Sequence, residues 1–354
     1  MLFIILAFIT SFFVVLLGTP SLIKVAKLKH LVDEPSEERK LHSRSVPTIA
    51  GVMIFSAFLF SICIWFPAHA ISNTQAINDF KYLIAILVLL FFVGVKDDII
   101  GTAPIYKLIS HIVVGFILVM MGNIRIESMH GLFGVSDPFP EEASVFISLF
   151  VYIVIVNAIN LIDGVDGLAG GVGFIATLTF GIWFQLAGVS YLSIISFSLC
   201  GALAGFLIFN FNPARIFMGD SGSLTVGAII TFLSIRLIET PANAVPEVFQ
   251  YSNTAVVAMA ILAYPLIDTL RVFTIRAKNG VSPFSADRNH IHHRLLSFGW
   301  NHRRTTITLY IYTSVIILVA LFIPVPDPTL NFAICVGVAL LLTLVLFYMK
   351  KPIQ

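Results

Sequence analysis

Carboxylates lie at the ends of apolar segments in this chain of 354 residues. Asp97 and Asp98 follow one apolar run, Asp163 and Asp166 follow another, and Asp220 precedes a third. A charge near bilayer depth costs about 2.5–3.5 kcal/mol even on a lenient scale, so such residues are functional candidates. If these carboxylates converge on one face, they would form a metal-assisted active site.

The neighbouring carboxylates of Asp97 and Asp98 have two explanations. Two desolvated carboxylates side by side need a cation or a shared proton, and a hard divalent ion would supply the charge. Alternatively, they mark a solvated helix end, because Gly101 and Pro104 follow and favour a turn. The pair by itself does not decide between these explanations.

The segment 157–167 is denser in polar groups. Asn157, Asn160 and Asp163 occur at steps of three, so they share a face if a helix runs through them. The Asp163-Gly-Val-Asp166-Gly repeat then ends the helix and exposes oxygen ligands and backbone N–H groups. The twelve-residue spacing and terminal Glu of a calcium loop are absent. The alternative is a structural turn in which Asp166 caps the next helix.

The Asp220-Ser-Gly-Ser223 segment begins an apolar run and predicts a helix N-terminus. Such side chains cap free N–H groups, and the same geometry binds phosphate or directs a carboxylate towards a metal. Capping alone is the alternative explanation. Asn210 and Phe217, just upstream, offer an amide and an aromatic face to a nucleotide base.

Histidines and arginines occur together between residues 288 and 294. His290, His292 and His293, with Arg288 and Arg294, would donate hydrogen bonds to a polyanion. A zinc site is disfavoured because the segment has neither a cysteine partner nor an HExxH pattern. Recognition of a phosphate or a sugar is the favoured interpretation, and a solvated basic loop is the alternative.

The composition requires a membrane-embedded protein. Hydrophobic residues make up 58% of the chain and charged residues 11%, and the mean hydropathy is +0.97. These values exclude a soluble domain of this length. We expect an all-α polytopic helix bundle forming a single domain over residues 1–354, with ten or eleven spans. The eleven expected spans are residues 2–23, 48–67, 80–95, 105–122, 143–160, 168–187, 191–210, 224–239, 254–275, 305–324 and 330–349.

The distribution of basic residues predicts the orientation. Eighteen of the 21 Lys and Arg residues lie in or beside alternate loops or the C-terminal tail. The positive-inside rule then places the N-terminus outside and the C-terminus in the cytoplasm. All the acidic motifs and the histidines would therefore lie on the cytoplasmic face. The expected main cytoplasmic loops are 24–47, 96–104, 157–167, 211–223 and 276–304.

The ordered motifs resemble those of a known family, the polytopic polyprenyl-phosphate N-acetylhexosamine-1-phosphate transferases of glycosyltransferase family 4. Each motif is short, but their order along nearly the whole chain is specific. The His-x-His-His pattern is similar to the branch that uses UDP-N-acetylglucosamine, which is related to the phospho-MurNAc-pentapeptide translocases. Ala50 departs from the family pattern, in which a glycine is usual. The motifs are Glu38-Arg39-Lys40-Leu-His42, Asp97-Asp98, Asn157 to Leu168, Phe217 to Ser223 and His290 to Leu295.

The resemblance implies a reaction and a location. A UDP-sugar, most closely UDP-N-acetylglucosamine, would react with undecaprenyl phosphate to give undecaprenyl-diphospho-sugar and UMP. This step would initiate a surface polysaccharide, such as an O-antigen, at the cytoplasmic face of a bacterial inner membrane. Transfer of phospho-MurNAc-pentapeptide or of another hexosamine phosphate is the alternative within the family. The chain has no expected nucleic-acid partner, and a homodimer is left open.

A secondary transporter is the alternative from a different functional class. Transporters usually carry internal repeats and place their charges near the middle of the membrane. Here the acidic residues lie at span ends on one side, and no internal repeat is evident. The sequence therefore favours the transferase.

The resemblance also implies roles for individual residues. Asp220 and Asn160 would contact Mg²⁺, with Mn²⁺ as an alternative ion. Asp97 would be the catalytic carboxylate, supported by Asp98, and it would either deprotonate the lipid phosphate or form a covalent intermediate. Lys107 would hold the acceptor phosphate.

The remaining motif residues would bind the donor. Asp163 would line the nucleotide site as a third catalytic carboxylate, and Asp166 and Phe217 would contact uracil. Further substrate contacts would come from Asn157, Asn210, Arg288, His290, His292, His293 and Arg294.

Overall fold

The computed structural model describes residues 1–33, 46–280 and 289–348, and these residues are predominantly helical. One antiparallel pairing of two-residue strands, β1 (Val32–Asp33) with β2 (Val46–Pro47), accompanies the helices. The predicted all-α class is therefore confirmed. The helices are α1 (Leu2–Leu28), α2 (Gly51–Trp65), α3 (Thr74–Ile100), α4 (Pro104–Phe116), α5 (Glu141–Leu161), α6 (Leu168–Leu186), α7 (Ser190–Asn210), α8 (Gly219–Ile238), α9 (Thr254–Ile261), α10 (Ala263–Lys278), α11 (Ile291–Ser297), α12 (His302–Phe322) and α13 (Pro328–Tyr348).

Helices occur at all eleven positions where spans are predicted. Within the described residues, eight helices are long and apolar enough to cross a membrane, or nine if α9 and α10 form one bent span. α2 is apolar but has only 15 residues. The chain is thus a multi-pass membrane protein, while the number of eleven spans and their orientation stay predictions.

The predicted continuous span 254–275 is broken in the structure. α9 and α10 meet at an angle of 71° around Leu262. Pro265 explains the break, because proline has no N–H to continue the helical hydrogen bonding and its ring clashes with the preceding turn. The bend changes the direction of the segment that carries Tyr264 and Asp268.

The central helix of the bundle is α8. Its apolar window is wholly buried, whereas only 28% of the corresponding window is buried in α1, in α13 and in the segment 104–121 that begins with α4. α8 packs chiefly against α3 and α5, with further contacts to α2 and α9. The polar N-terminal turn of α8 is therefore positioned by several neighbouring helices at once.

Small residues let α1 and α7 approach closely. The Gly201-Ala-Leu-Ala-Gly205 spacing predicts close helix packing in lipid. In the structure, Gly201 lies against the Phe8 carbonyl group and Gly205 against that of Phe12. The predicted packing role is confirmed.

The opposite end of α8 carries a separate polar region. Arg236 forms a buried ion pair with Asp79, and the Tyr191 hydroxyl donates to the same carboxylate at 2.9 Å. A cavity of about 480 Å³ lies beside this pair and includes Arg125 and Glu239 among its lining residues. None of the predicted site residues lines this cavity. The motif residues therefore belong to the other end of the bundle.

Candidate active site

Three helix ends converge on the start of α8. The Asn160 Nδ2 atom, at the end of α5, donates to Asp220 Oδ1 and to Ser223 Oγ, each at 2.8 Å. The Lys107 ammonium group, in the first turn of α4, pairs with Asp220 and lies 3.2 Å from Asp97 Oδ2 at the end of α3. The structure thus brings together residues that are up to 123 positions apart in the chain and that the motifs assign to one centre.

The first N–H groups of α8 are capped by carboxylates from other elements. Asp98 Oδ1 accepts a hydrogen bond from the Asp220 N–H at 2.7 Å, and Asp98 Oδ2 accepts one from the Ser221 N–H at 3.0 Å. The Gly219 backbone hydrogen-bonds to the Asp163 carboxyl group. The side chain of Asp220 is therefore not used as a cap and contacts Lys107 and Asn160 instead.

This arrangement requires glycine at position 219. Gly219 has a φ of +69°, and a Cβ there would overlap the Asp98 carboxylate and the Thr48 carbonyl oxygen. Gly94 of α3 likewise lies against the backbone of Ser221. Absence of both side chains lets α3 approach the start of α8 closely enough for Asp98 to cap it.

The segment before α2 fixes the residues that precede α8. The Phe217 N–H donates to the Pro47 carbonyl at 2.7 Å, and the Ala50 N–H donates to the Phe217 carbonyl at 3.1 Å. The Gly51 N–H donates to Met218 at 2.9 Å. Ala50 contributes only its backbone N–H to this pairing, and alanine and glycine both have that group. The alanine at this position, where the family usually has glycine, therefore leaves the pairing intact.

The centre carries an excess of negative charge. Asp97 and Asp220 pair with the Lys107 ammonium group, and the carboxyl groups of Asp98 and Asp163 lie near Asp220. Burial raises the pKa of Asp163 well above its ordinary value, and the nearby carboxylates of Asp220 and Asp98 raise it further. Buried carboxylates that repel one another are stabilised by a divalent cation, and their oxygen atoms are the ligands that suit Mg²⁺.

Asp166 anchors the loop that leads to α8. Its Oδ2 atom accepts hydrogen bonds from Asn212 Nδ2 at 2.8 Å and from the Ala214 N–H at 3.0 Å, and Oδ1 lies 3.3 Å from His302 Nδ1. Burial raises the pKa of Asp166, but the hydrogen bonds from His302, Asn212 and Ala214 outweigh it and leave the pKa below its ordinary value. The carboxylate is therefore held ionised by contacts within the protein.

Asn210 has a similar structural role. Its Oδ1 atom accepts from the Gly167 N–H and its Nδ2 atom donates to the Ile216 carbonyl, both at 2.9 Å. Asn210 thus joins the two ends of the 211–216 segment, and Asp166 holds its interior at Asn212 and Ala214. This segment leads directly to Phe217. Their expected contacts with a base stay predictions, as does the ring-stacking role of Phe217.

Asn157 lies one turn before Asn160 on α5. It is half-buried, and its Nδ2 atom donates to the Ile153 carbonyl at 2.7 Å within the same helix. α5 ends at Leu161, so Asp163 follows the helix and does not continue its face. The predicted helix break at the Asp163–Gly167 repeat is confirmed, because α6 begins only at Leu168.

The histidine segment lies against the loop that carries Asp163. His290 and His292 are buried, and a Cβ at Gly164 would lie 3.3 Å from His292 Nε2. His293 is half-buried, with its ring centroid 4.4 Å from that of His292. The exposed Arg294 places its guanidinium over the Phe347 ring at 4.2 Å. Arg288 lies outside the described residues.

Four polar residues near these motifs were not identified from the sequence. Asp268 and Tyr264 contact the histidine segment, and His302 contacts Asp166. His111, one turn after Lys107 on α4, is buried, and neither ring nitrogen has a partner within the described part of the chain. Asp268 and His111 lie within apolar runs, and a charged residue or a histidine inside a span was the signal that could have identified them. Tyr264, which lies beside Pro265, gave no such signal.

Comparisons with known proteins agree with the motifs. The sequence model of Glycosyl transferase family 4 matches residues 80–238, which include both aspartate motifs and the start of α8. An undecaprenyl-phosphate alpha-N-acetylglucosaminyl 1-phosphate transferase of Escherichia coli is 27% identical over 292 residues, covering 81% of this chain and 74% of the relative. A decaprenyl-phosphate N-acetylglucosaminephosphotransferase of Mycolicibacterium smegmatis is 29% identical over 331 residues, covering 89% and 82%. The predicted family resemblance is confirmed.

Replacing Asp98 tests the capping arrangement. Asp98→Ala removes the acceptors for two N–H groups of α8, and losing such a cap costs about 0.5–2 kcal/mol. We expect a lower melting temperature in detergent, because the Asp220 and Ser221 N–H groups would lose their acceptors. The exposed Asp137 is the matched control, and Asp137→Ala should leave the melting temperature unchanged. Equal melting temperatures for both variants would contradict the capping role.

Proposed function

We propose that this protein transfers N-acetylglucosamine-1-phosphate from UDP-N-acetylglucosamine to undecaprenyl phosphate and releases UMP. Residues 80–238 match glycosyl transferase family 4, and the two relatives align with 81% and 89% of the chain. The relatives in Escherichia coli and Mycolicibacterium smegmatis are named for the same transfer to polyprenyl phosphates. The His290-x-His-His293 pattern supports the N-acetylglucosamine donor over the pentapeptide-bearing one.

The proposal depends mainly on one observation, the convergence of Asp97, Lys107, Asn160 and Asp220 at the ends of four helices. A phosphoryl transfer needs positioned groups and neutralised charge more than covalent chemistry from the protein. A cluster that combines carboxylates, an amide and an ammonium group at a membrane edge meets that need. The alternative of a secondary transporter gains no support from the fold, because these charges lie at helix ends.

We propose that Asp220 and Asn160 hold Mg²⁺, with Mn²⁺ as a substitute. These side chains fit a divalent ion. The carboxylates of Asp97 and Asp220 already lie beside one cation, the ammonium group of Lys107, so both can face a positive charge at the same place. Asn160 presents its Nδ2 atom to Asp220 in this structure, so its Oδ1 atom is the one available as a ligand. When bound, the ion would neutralise the negative charge of the two substrates' phosphates.

Lys107, Asp97 and Asp98 would have separate roles in the transfer. Lys107 lies between Asp97 and Asp220 and would move onto the phosphate of the lipid when that anion enters. Asp97 would then be freed from its ion pair, and it would follow one of two routes. It would accept the proton of the lipid phosphate, or it would attack the sugar-bearing phosphorus of the UDP-sugar and expel UMP, after which the lipid phosphate would displace Asp97. Asp98 keeps the first turn of α8 in place throughout, because its two oxygens are bound to backbone N–H groups.

We also propose eleven spans, with the N-terminus outside and the C-terminus in the cytoplasm of a bacterial inner membrane. The ends of α3, α5 and α10 and the starts of α4, α8 and α12 would then lie on the cytoplasmic side, where a UDP-sugar is available. The bias of the basic residues towards the loops of that side supports this orientation.

Turnover by the purified protein tests the proposed reaction. In detergent, UDP-N-acetylglucosamine should release UMP only when undecaprenyl phosphate and a divalent ion are both present. Asp97→Asn and Asp220→Ala should each be nearly inactive, because one lacks the reacting carboxylate and the other an anionic ligand. Chelation of the ion should also abolish release, and added Mg²⁺ should restore it.

Asp137→Asn is the matched control for these variants, since Asp137 is exposed in the loop between α4 and α5. It should retain the wild-type rate. Wild-type turnover by Asp97→Asn or Asp220→Ala would contradict the assigned roles. Mass spectrometry of the lipid product, over several UDP-hexosamines, identifies the sugar, and a product other than the N-acetylglucosamine lipid would contradict the proposed donor.

The orientation is tested by labelling single cysteines in intact cells. In a background without Cys63, Cys200 and Cys335, Asp137→Cys should react with a membrane-impermeant maleimide added outside. Arg303→Cys, exposed at the start of α12, should react only after the membrane is opened. The reverse pattern would overturn the proposed orientation.

A further inference from the structure

The histidine segment is held by two side chains of α10, the helix that follows the 71° bend. Asp268 Oδ2 lies 2.7 Å from His290 Nδ1, and Asp268 Oδ1 accepts from the Ile291 N–H at 2.6 Å. Tyr264, one turn earlier, places its hydroxyl group 3.1 Å from His292 Nδ1. All four of the side chains in these contacts are buried.

The hydrogen bonds determine which nitrogen of His292 carries the proton. Among the described contacts, the Tyr264 hydroxyl has one hydrogen-bond partner, His292 Nδ1. If Nδ1 carried the proton, the hydroxyl proton would be buried without an acceptor, which costs about 1–3 kcal/mol. The satisfied arrangement has the Tyr264 O–H donating to Nδ1, so the neutral ring carries its proton on Nε2. Burial lowers the pKa of His292 to about 3, which keeps the ring neutral.

The Nε2 atom of His292 lies beside the segment that carries Asp163. Within the described part of the chain it has no hydrogen-bond partner, although it is buried. A Cβ at Gly164, which is exposed and adjoins Asp163, would lie 3.3 Å from this nitrogen. An unpartnered buried N–H donor next to a proposed diphosphate site is a group that lacks its acceptor in the free protein.

We infer that Tyr264 and Asp268 are positioning residues for the sugar-nucleotide donor: they hold His292 so that its Nε2–H donates to an oxygen of the donor's diphosphate at the Asp163–Gly164 segment. Asp268 fixes the start of α11 through His290 and the Ile291 backbone, and Tyr264 fixes the tautomer of His292. The ligand would reach Nε2 by displacing Gly164, which has no side chain to move. This inference rests on the proposed function, since it assigns the same donor.

A bound metal is the competing use of this cluster. One ligand atom from each of Asp268, His290 and His292 lies within 4.8 Å of the others, which is close enough for a metal ion. The observed distances instead form hydrogen bonds from His290 to Asp268 and between Tyr264 and His292. His292 Nδ1 lies 3.8 Å from Asp268 Oδ2, and as a zinc ligand it would have to give up its hydrogen bond to Tyr264.

Binding of UDP-N-acetylglucosamine to the purified full-length protein, measured by calorimetry, tests the inference. Tyr264→Phe should weaken binding about ten-fold, as expected for loss of one well-placed hydrogen bond. In turnover assays the same variant should raise KM for UDP-N-acetylglucosamine and leave KM for undecaprenyl phosphate unchanged. Tyr312→Phe is the matched control, because Tyr312 is also buried in the bundle but bonds to Ala339 and Thr343. It should match the wild type.

Two substitutions at His292 separate the two ring nitrogens. Glutamine places an amide N–H near the position of Nε2, whereas asparagine places its amide near Nδ1. His292→Gln should therefore bind the donor more tightly than His292→Asn. Adding Tyr264→Phe to His292→Gln should cause little further loss, because glutamine has no tautomer to fix.

Gly164→Ala provides a variant that leaves every side chain of the buried cluster unaltered. The backbone at Gly164 does not have a positive φ, so alanine is permitted, but its Cβ would lie 3.3 Å from His292 Nε2. We expect weaker donor binding with an unchanged melting temperature. This comparison keeps the inference testable if a variant of Tyr264 fails to fold.

The outcomes separate this inference from the proposed function. Donor binding without release of UMP under any lipid or ion condition would overturn the proposed function and leave the inference standing. Equal donor affinity for wild type, Tyr264→Phe and Gly164→Ala would overturn the inference alone. Stoichiometric zinc in the purified protein, lost in Asp268→Asn, would also overturn it. A wild type that does not bind the sugar nucleotide would overturn both.

Discussion

The capping of α8 by carboxylates from other elements is the interaction on which the site depends. A helix leaves its first N–H groups without partners, and in a buried helix these groups must be satisfied by neighbouring side chains. Here Asp98 and Asp163 provide the acceptors. Because neither residue belongs to α8, the site forms only when α3, the 162–167 loop and α8 are packed together.

This arrangement explains how the centre tolerates so much negative charge. The N-terminus of a helix carries the equivalent of roughly half a positive charge, which stabilises nearby carboxylates. The ammonium group of Lys107 adds a full charge between Asp97 and Asp220. A divalent ion would neutralise the remaining excess of negative charge. The phosphates of the substrates are also anionic, so they would need that ion to bind beside the carboxylates.

The hydrogen bonds that each polar residue makes indicate its role in the structure. Asp166 and Asn210 are used within the protein to hold the loop before α8. Asp268 and Tyr264 hold the histidine segment in a comparable way. Around Asp97, Lys107 and Asp220, hydrogen bonds therefore fix the backbone, and the Asp220 side chain is left to contact Lys107 and Asn160.

Much of this architecture could be predicted from sequence, because apolar runs long enough to span a membrane locate the helices. The clustering of Asp97, Asn160 and Asp220 was predictable from the motifs and their positions at span ends. The capping role of Asp98 was not, since it depends on a partner 122 residues away and on the close approach at Gly94. The bend near Pro265 was also missed, because hydropathy does not register a change of helix direction.

The same limit applies to Asp268. A lone carboxylate in an apolar run signals function, but its partner His290 can be identified only after the bend places α10 beside the histidine segment. Long-range pairing of this kind depends on the tertiary structure.

Electron–nuclear double resonance with Mn²⁺ as the ion tests the central claim most directly. If the converging carboxylates and the phosphates share one centre, the wild type with Mn²⁺ and UDP-N-acetylglucosamine should show coupling between the ion and phosphorus. Asp220→Ala should lose both the bound ion and the coupling, whereas Asp137→Ala should keep them. Bound Mn²⁺ with phosphorus coupling that persists in Asp220→Ala would contradict the account.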